Sequence, residues 1–103
     1  MKTLGQLQGE VVRWSDKTFG RQPTVTAKLN HLRREVEELA AKPHDVSEMA
    51  DCLILLLYIA ERAGVSAEGL TIATAAKLEI LKLRKWSEPD AEGVCRHLPE
   101  GES

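Results

Sequence analysis

Acidic side chains at positions 35, 38, 48 and 51 form two pairs, and the members of each pair are three residues apart. The first pair is Glu35 and Glu38, and the second is Glu48 and Asp51. Residues three apart lie on one side of a helix, so each pair would present two carboxylates from one face. Converging carboxylates repel one another and lose hydrating water, and a bound divalent cation removes both penalties. The pattern therefore predicts a metal site.

The ligand chemistry of this site indicates the ion. Carboxylate oxygens without histidine or cysteine favour a hard cation, Mg²⁺ or alternatively Mn²⁺. Magnesium normally takes one or two protein carboxylates and leaves other positions for water and substrate phosphate. Four carboxylates therefore predict two or more ions, with room for a phosphate-bearing substrate.

The acids lie at the border between polar and apolar surface. On a helical wheel the first pair shares a polar stripe with Lys28 and His31, directly beside the apolar stripe. Glu37 points about 160° away from Glu35 and is expected to be solvated. In the second pair, Asp51 leads directly into the apolar run at residues 52–57. We therefore expect the two pairs to face inward and to lose part of their hydration.

Simpler interpretations exist for each acid taken singly. Glu48 could complete a capping box with Asp45 at the start of its helix. Glu35 and Glu38 could form ion pairs with basic neighbours on a solvated face. The repeated spacing across a helical hairpin, with the second pair on the most apolar helix, favours the metal site.

Helical periodicity, interrupted by glycine and proline, predicts an all-α fold, an antiparallel bundle of about four helices. The third helix is apolar around most of its circumference, which predicts that another copy of the protein covers part of it. We therefore expect a homodimer or homotetramer. The predicted helices are residues 3–17, a second from Thr24 or Thr26 to residue 41, a third after Asp45 to residue 63, and a fourth from the N-cap Ser66 to about Trp86.

Composition limits the remaining possibilities. The 103 residues predict one domain, 1–103, in which 87–103 form an irregular tail. A net charge of −2 supplies no field for nucleic acid or an anionic membrane surface. The longest apolar run, residues 52–60, is too short to span a bilayer, which predicts a cytoplasmic protein. The two cysteines have neither disulfide-framework nor zinc-ligand spacing.

Basic and aromatic residues are further candidates for binding a phosphate-bearing substrate. Lys28 and His31 lie on the acidic stripe, where the imidazole could contact a base or phosphate or simply pair with a carboxylate. Trp14 is favoured over Phe19 for stacking on a nucleobase. Lys77 and Arg84 share a face of the fourth helix and could grip phosphates, although cations near a helix C-terminus also oppose its dipole.

These residues resemble those of the all-α nucleoside triphosphate pyrophosphohydrolases of the MazG-like group, over most of the chain. The acid pairs match that family's magnesium-binding motif, and Lys77 and Arg84 match its phosphate-contacting positions. The family usually has asparagine where this chain has Leu81, and an apolar side chain cannot make that polar contact. Three parts of the sequence resemble the dATP/dGTP pyrophosphohydrolase branch, which includes the phage enzymes called MazZ. They are residues 14–20, Pro43, and Gly93-Val94 followed by His97.

The resemblance implies a magnesium-dependent enzyme that converts dGTP and/or dATP to the monophosphate and pyrophosphate. It also implies nucleotide-pool control, in the host cytoplasm if the protein is phage-encoded. One alternative is the same fold acting on dUTP, dCTP or phosphoribosyl-ATP. An alternative of another class is a non-catalytic helical module that binds a protein partner.

Overall fold

The computed structural model describes residues 1–21 and 23–99, and this part of the chain contains four α-helices. A single isolated β-bridge, between Trp86 and His97, is found beside them. The all-α prediction is confirmed. The helices are α1 (Leu4–Phe19), α2 (Val25–Ala41), α3 (Val46–Arg62) and α4 (Ala67–Leu83).

Side-chain caps determine where the first two helices begin. Thr3 and Gln6 form a reciprocal capping box at the start of α1, with Oγ1 of Thr3 accepting from the Gln6 N–H at 3.1 Å. Thr24 accepts from the Ala27 N–H at 3.0 Å and is therefore the N-cap of α2. Of the two threonines that the sequence offered, the earlier one starts the helix.

Local hydrogen bonds also define both ends of α3. Asp45 caps the first turn by accepting from the Ser47 N–H at 2.8 Å. At the other end Gly64 has a φ of 80°, and the Val65 N–H donates to the Ala60 carbonyl at 2.8 Å. This bond is the long-range member of a Schellman motif, which requires a left-handed residue at the glycine position. Gly64 thus ends α3.

The chain divides into two compact units, residues 1–71 and 72–103. In the first unit α3 packs against both α2 and α1. The side chains of Leu57 and Tyr58 are almost fully buried, at 2% and 1% exposure. The buried amide of Gln8 also belongs to this core, and it bonds to the backbone around the α3–α4 turn. The prediction of a single domain stays a prediction.

One stripe of α3 is apolar and open. Met49, Leu53 and Leu56 follow one another at helical spacing and are 45%, 43% and 44% exposed. Their exposure matches the incomplete burial of this helix that its composition predicts. No helix in the described residues is long and apolar enough to cross a membrane.

In the second unit α4 ends at Leu83, three residues before the predicted end, and the segment that follows turns back on itself. The Ser87 N–H donates to the Arg96 carbonyl, and the Leu98 N–H donates to the Lys85 carbonyl, both at 2.8 Å. These bonds pair the two halves of a hairpin-like reversal. Apart from this reversal and the Trp86–His97 bridge, residues 87–98 form no helix or strand, so the irregular tail stays a prediction, and residues 100–103 lie outside the described part.

The turn of this hairpin is organised by one aspartate. Oδ1 of Asp90 accepts from the Glu92 and Val94 N–H groups at 2.9 and 3.0 Å. Gly93 adopts a φ of 81°, which most residues avoid. The aspartate and the glycine of this turn can be recognised in the sequence. The pairing of the segments that flank the turn cannot, because it joins residues about ten apart.

Candidate active site

Three of the four predicted metal ligands lie together where α2 packs on α3. Glu35 and Glu38 of α2 and Glu48 of α3 each offer a carboxylate oxygen, and these oxygens lie within 4.8 Å of one another. Glu35 and Glu48 are half-buried, and Glu38 is exposed. We call these three residues the acidic cluster. Its members come from both acid pairs, so the helical hairpin brings the pairs to one site.

Two oxygens of the acidic cluster are buried without compensation. Oε2 of Glu35 and Oε2 of Glu48 have no hydrogen-bond partner among the described residues. Burial raises the pKa of Glu48 above its ordinary value of 4.5, and the charges of Glu38 and Asp51 raise it further. Carboxylates with free lone pairs, mutual repulsion and little hydration fit a hard divalent cation.

The simpler interpretation of Glu48 does not agree with its surroundings. A capping box would require its carboxylate to accept from the Asp45 N–H. That N–H donates instead to the Lys42 carbonyl at 3.0 Å. Glu48 is therefore not the reciprocal partner of a cap.

Asp51 lies next to the acidic cluster but outside the group of oxygens within 4.8 Å. Its charge contributes to the raised pKa of Glu48 and, after burial and the charge of Glu35, to the raised pKa of the Cys52 thiol. The aspartate thus adds negative potential to the site, and its role as a direct metal ligand stays a prediction.

His31 links the acidic cluster to a second feature of α2. Its Nε2 lies 3.3 Å from a carboxylate oxygen of Glu35, one turn along the helix. The imidazole also borders a pocket of about 180 Å³, which we call the Phe19 pocket. The residues that line the Phe19 pocket are Phe19, Pro23, Ala27, Lys28 and His31.

Lys28 is buried beside aromatic rings rather than solvated on a polar stripe. Lys28 is 5% exposed, and its Nζ donates to Oγ of Ser15 at 3.2 Å. The same nitrogen lies 4.7 Å from the ring centroids of both Phe19 and Tyr58. Ser15 and Tyr58 were missed as neighbours of the site, because only tertiary packing brings them to Lys28.

The aromatic residue at the pocket is Phe19. Trp14, which the sequence analysis favoured, is 56% exposed and contacts Phe19 edge to face, with centroids 5.4 Å apart. Residues 14 and 19 are five apart, so a helix turns them in different directions. Stacking of Trp14 on a nucleobase stays a prediction, and Phe19 is the ring that the structure places at the pocket wall.

A polar network holds the pocket wall in place. The Tyr58 hydroxyl donates to Oδ1 of Asp16 at 2.6 Å. This hydrogen bond, with help from Arg21, lowers the pKa of Asp16. Arg62 donates to the Pro23 carbonyl at 3.2 Å and so ties the α1–α2 loop to α3. The loop that carries part of the pocket is thus anchored from two helices.

Lys77 and Arg84 belong to the second unit. Lys77 is exposed and borders a shallow apolar groove, while Arg84 is half-buried. Leu81, at the position where asparagine is usual, lines the same groove as Lys77. The phosphate-binding role of the two cations stays a prediction. The groove is lined by Ala73, Thr74, Lys77, Leu78 and Leu81.

The chain is similar in sequence and in structure to known proteins. The family model for dATP/dGTP pyrophosphohydrolase matches residues 7–101. The dATP/dGTP diphosphohydrolase of cyanophage S-2L is 38% identical over 100 residues, which cover 94% of this chain and 90% of that protein. The solved structure of the cyanophage S-2L MazG-like pyrophosphohydrolase, bound to dGDP and three catalytic Mn²⁺ ions per active site, is 33% identical. It superposes with a TM-score of 0.79, covering 96% of this chain and all of that one.

Two longer relatives come from Salmonella phages. The Eaa protein of phage P22 is 45% identical over 95 residues, and the dATP/dGTP diphosphohydrolase of phage PMBT28 is 32% identical over 100 residues. The matches cover 92% and 96% of this chain but only 30% and 33% of those proteins. The family model over residues 7–101 and the cyanophage relative show that the chain belongs to the dATP/dGTP pyrophosphohydrolase family of MazG-like all-α enzymes.

Proposed function

We propose that this protein hydrolyses dGTP and/or dATP to the monophosphate and pyrophosphate in the presence of Mg²⁺ or Mn²⁺. The observation that carries the proposal is the acidic cluster, in which buried carboxylate oxygens from two helices have no hydrogen-bond donor among the described residues. The cyanophage relative, whose site holds dGDP and Mn²⁺, supports the substrate class and the need for several ions. Membership of this enzyme family argues against a non-catalytic helical module.

Different residues of the chain would have different roles in such a reaction. Glu35, Glu38 and Glu48 would hold divalent ions, with Asp51 as a fourth candidate ligand. Bound ions would supply a water of lowered pKa and offset the negative charge that develops on the phosphates. His31 orients Glu35 through their 3.3 Å contact, as outer groups commonly orient metal ligands.

Binding of the rest of the nucleotide is assigned to the other predicted residues. Lys28, His31 and Trp14 are candidates for the base and sugar, and Lys77 and Arg84 are candidates for the phosphates. We also propose that the protein works as a homodimer or homotetramer, because the apolar stripe of α3 is open in the single chain. A role in controlling nucleotide pools in the host cytoplasm would follow from this activity.

Glu38→Gln tests the proposed function. Changing an outer-shell residue of a metal site commonly costs about 10-fold to 100-fold, so loss of a direct ligand should lower kcat/KM at least about 100-fold. Glu37→Gln is the matched control, because Glu37 is exposed on the same helix and outside the acidic cluster. The assay follows pyrophosphate and orthophosphate released from dGTP and dATP, with and without EDTA.

The expected product is pyrophosphate, and EDTA should abolish its release. Release of orthophosphate alone, or turnover that EDTA does not affect, would contradict the proposal. Faster turnover of dUTP, dCTP or phosphoribosyl-ATP than of either purine deoxynucleotide would assign the protein to the alternative substrate class.

A further inference from the structure

Lys28 carries a buried positive charge at the wall of the Phe19 pocket. In the part of the chain that the structure describes, the four ion pairs do not include it. One of its three N–H donors is directed to Oγ of Ser15, and its charge lies near the Phe19 and Tyr58 rings. Burial of a cation is costly unless acceptors replace its water. The rings offset part of this cost, and the remaining donors of Nζ can bind acceptor atoms of a ligand in the pocket that Lys28 lines.

The shape and lining of the pocket indicate the kind of ligand. Phe19, Pro23 and Ala27 present apolar surface, which suits a flat ring better than a strongly hydrated phosphate. Lys28 and Glu35 are seven residues apart on α2, a rise of about 10 Å. A nucleotide could thus place its phosphates at the acidic cluster and its base in the Phe19 pocket, with the sugar alongside His31.

We propose that the Phe19 pocket binds the purine base and that Nζ of Lys28 donates to O6 and N7 of guanine. This inference rests on the proposed function and adds a base preference to it. Guanine presents two acceptors on this edge, whereas adenine presents the N7 acceptor next to an amino donor. A donor-only ammonium therefore favours dGTP over dATP, because the adenine amino group would face a cation.

Substrate analogues test this contact without any mutation. Values of kcat/KM are measured for dGTP, dITP, dATP and 2-aminopurine deoxyriboside triphosphate under the same metal conditions. dITP keeps O6 and N7 but lacks the 2-amino group, whereas the 2-aminopurine nucleotide keeps the amino group but lacks O6. We expect dGTP and dITP to be turned over with similar efficiency, and the other two about 10-fold to 100-fold less efficiently.

Lys28→Met provides the second measurement. Methionine keeps the length of the side chain and its apolar contacts but removes the donors. The ratio of kcat/KM for dGTP to that for dATP should fall about 10-fold or more. Lys17→Met removes one exposed lysine from α1 and should leave this ratio unchanged. Melting temperatures of both variants establish that they fold.

The possible outcomes separate this inference from the proposed function. Equal turnover of the 2-aminopurine nucleotide and dGTP would overturn the O6 contact, and so would a wild-type preference for dATP. An equal loss for all four nucleotides in Lys28→Met would place the ammonium at the phosphates and also overturn it. If the wild type releases no pyrophosphate from any of the four, the proposed function itself fails.

Discussion

At the scale of single residues, the acidic cluster destabilises the metal-free fold. Packing of α3 on α2 brings Glu48 close to Glu38 and takes part of its water away, and both effects raise its pKa. A carboxylate with a raised pKa in the folded state favours folding only while it is protonated. Its contribution is complete below the unfolded value near 4.5 and is lost as the pH rises through the folded pKa.

Glu48→Gln should therefore raise the melting temperature of the metal-free protein at pH 7, because an ionised and poorly solvated group is removed. The difference from wild type should shrink on acidification toward pH 4, where Glu48 becomes protonated. Thermal unfolding in EDTA across this pH range measures the effect. A variant that is less stable than wild type at pH 7 would contradict the electrostatic argument.

The same variant should lose its response to metal. At a free ion concentration of about 100 times Kd, linkage adds about 2.7 kcal/mol, which raises the melting temperature of a domain of this size by about 10 °C. Wild type and Glu37→Gln should show this increase with Mg²⁺ or Mn²⁺, and Glu48→Gln should show little of it. An undiminished shift in Glu48→Gln would remove this residue from the ligand set.

At the scale of elements, one buried amide connects α1 to the turn between α3 and α4. Nε2 of Gln8 donates to the carbonyls of Leu57 and Val65, each at 3.1 Å. Oε1 of Gln8 accepts from the Ala67 N–H at 2.7 Å. Backbone groups at the end of one helix and the start of the next are normally exposed to water or capped locally. Here the Gln8 side chain, from a helix distant in sequence, satisfies the Val65 carbonyl and the Ala67 N–H.

Gln8→Ala should lower the free energy of unfolding by about 2 kcal/mol or more, because it leaves buried backbone groups without partners. Gln6→Ala makes the same chemical change on the exposed side of α1, where Oε1 of Gln6 accepts from the Thr3 N–H and loss of this capping contact costs about 1 kcal/mol. Urea denaturation of both variants compares them. A smaller loss for Gln8→Ala than for Gln6→Ala would show that the buried contacts contribute little.

At the scale of the whole molecule, the apolar stripe of α3 is a surface on which a second copy of the chain could pack. Met49, Leu53 and Leu56 follow one another along α3 and are each nearly half exposed. Burial of apolar area contributes about 25 cal/mol per Å². A second copy packed on the stripe would therefore stabilise the helix that carries Glu48.

Leu53→Glu should reduce the oligomer to a smaller species, because it places a charge in the centre of the stripe. Ser47→Glu adds the same charge to α3 outside the stripe and should leave the assembly intact. Light scattering coupled to size-exclusion chromatography measures both masses at several protein concentrations. A wild-type protein that is monomeric at all concentrations would overturn the proposed assembly.

The sequence by itself determined the features that depend on neighbours along the chain. Helical periodicity, a threonine or aspartate before a helix, and a glycine after it act over one or two turns. They located α1, α2 and α3 to within a few residues, including the caps at Thr24 and Asp45. The spacing of the two acid pairs is equally local, so the carboxylates of the acidic cluster were identified before their positions were known.

Only the tertiary structure decided which of these residues meet. The backbone hydrogen bonds between residues 85–87 and 96–98 fold the segment after α4 back on itself. Packing of α3 drew Glu48 to the α2 carboxylates, while Asp51 stayed outside the closest group. The surroundings of Lys28 combine Ser15 and Phe19 of α1 with Tyr58 of α3. Such contacts join residues far apart in sequence, and their energy depends on burial that a linear pattern does not contain.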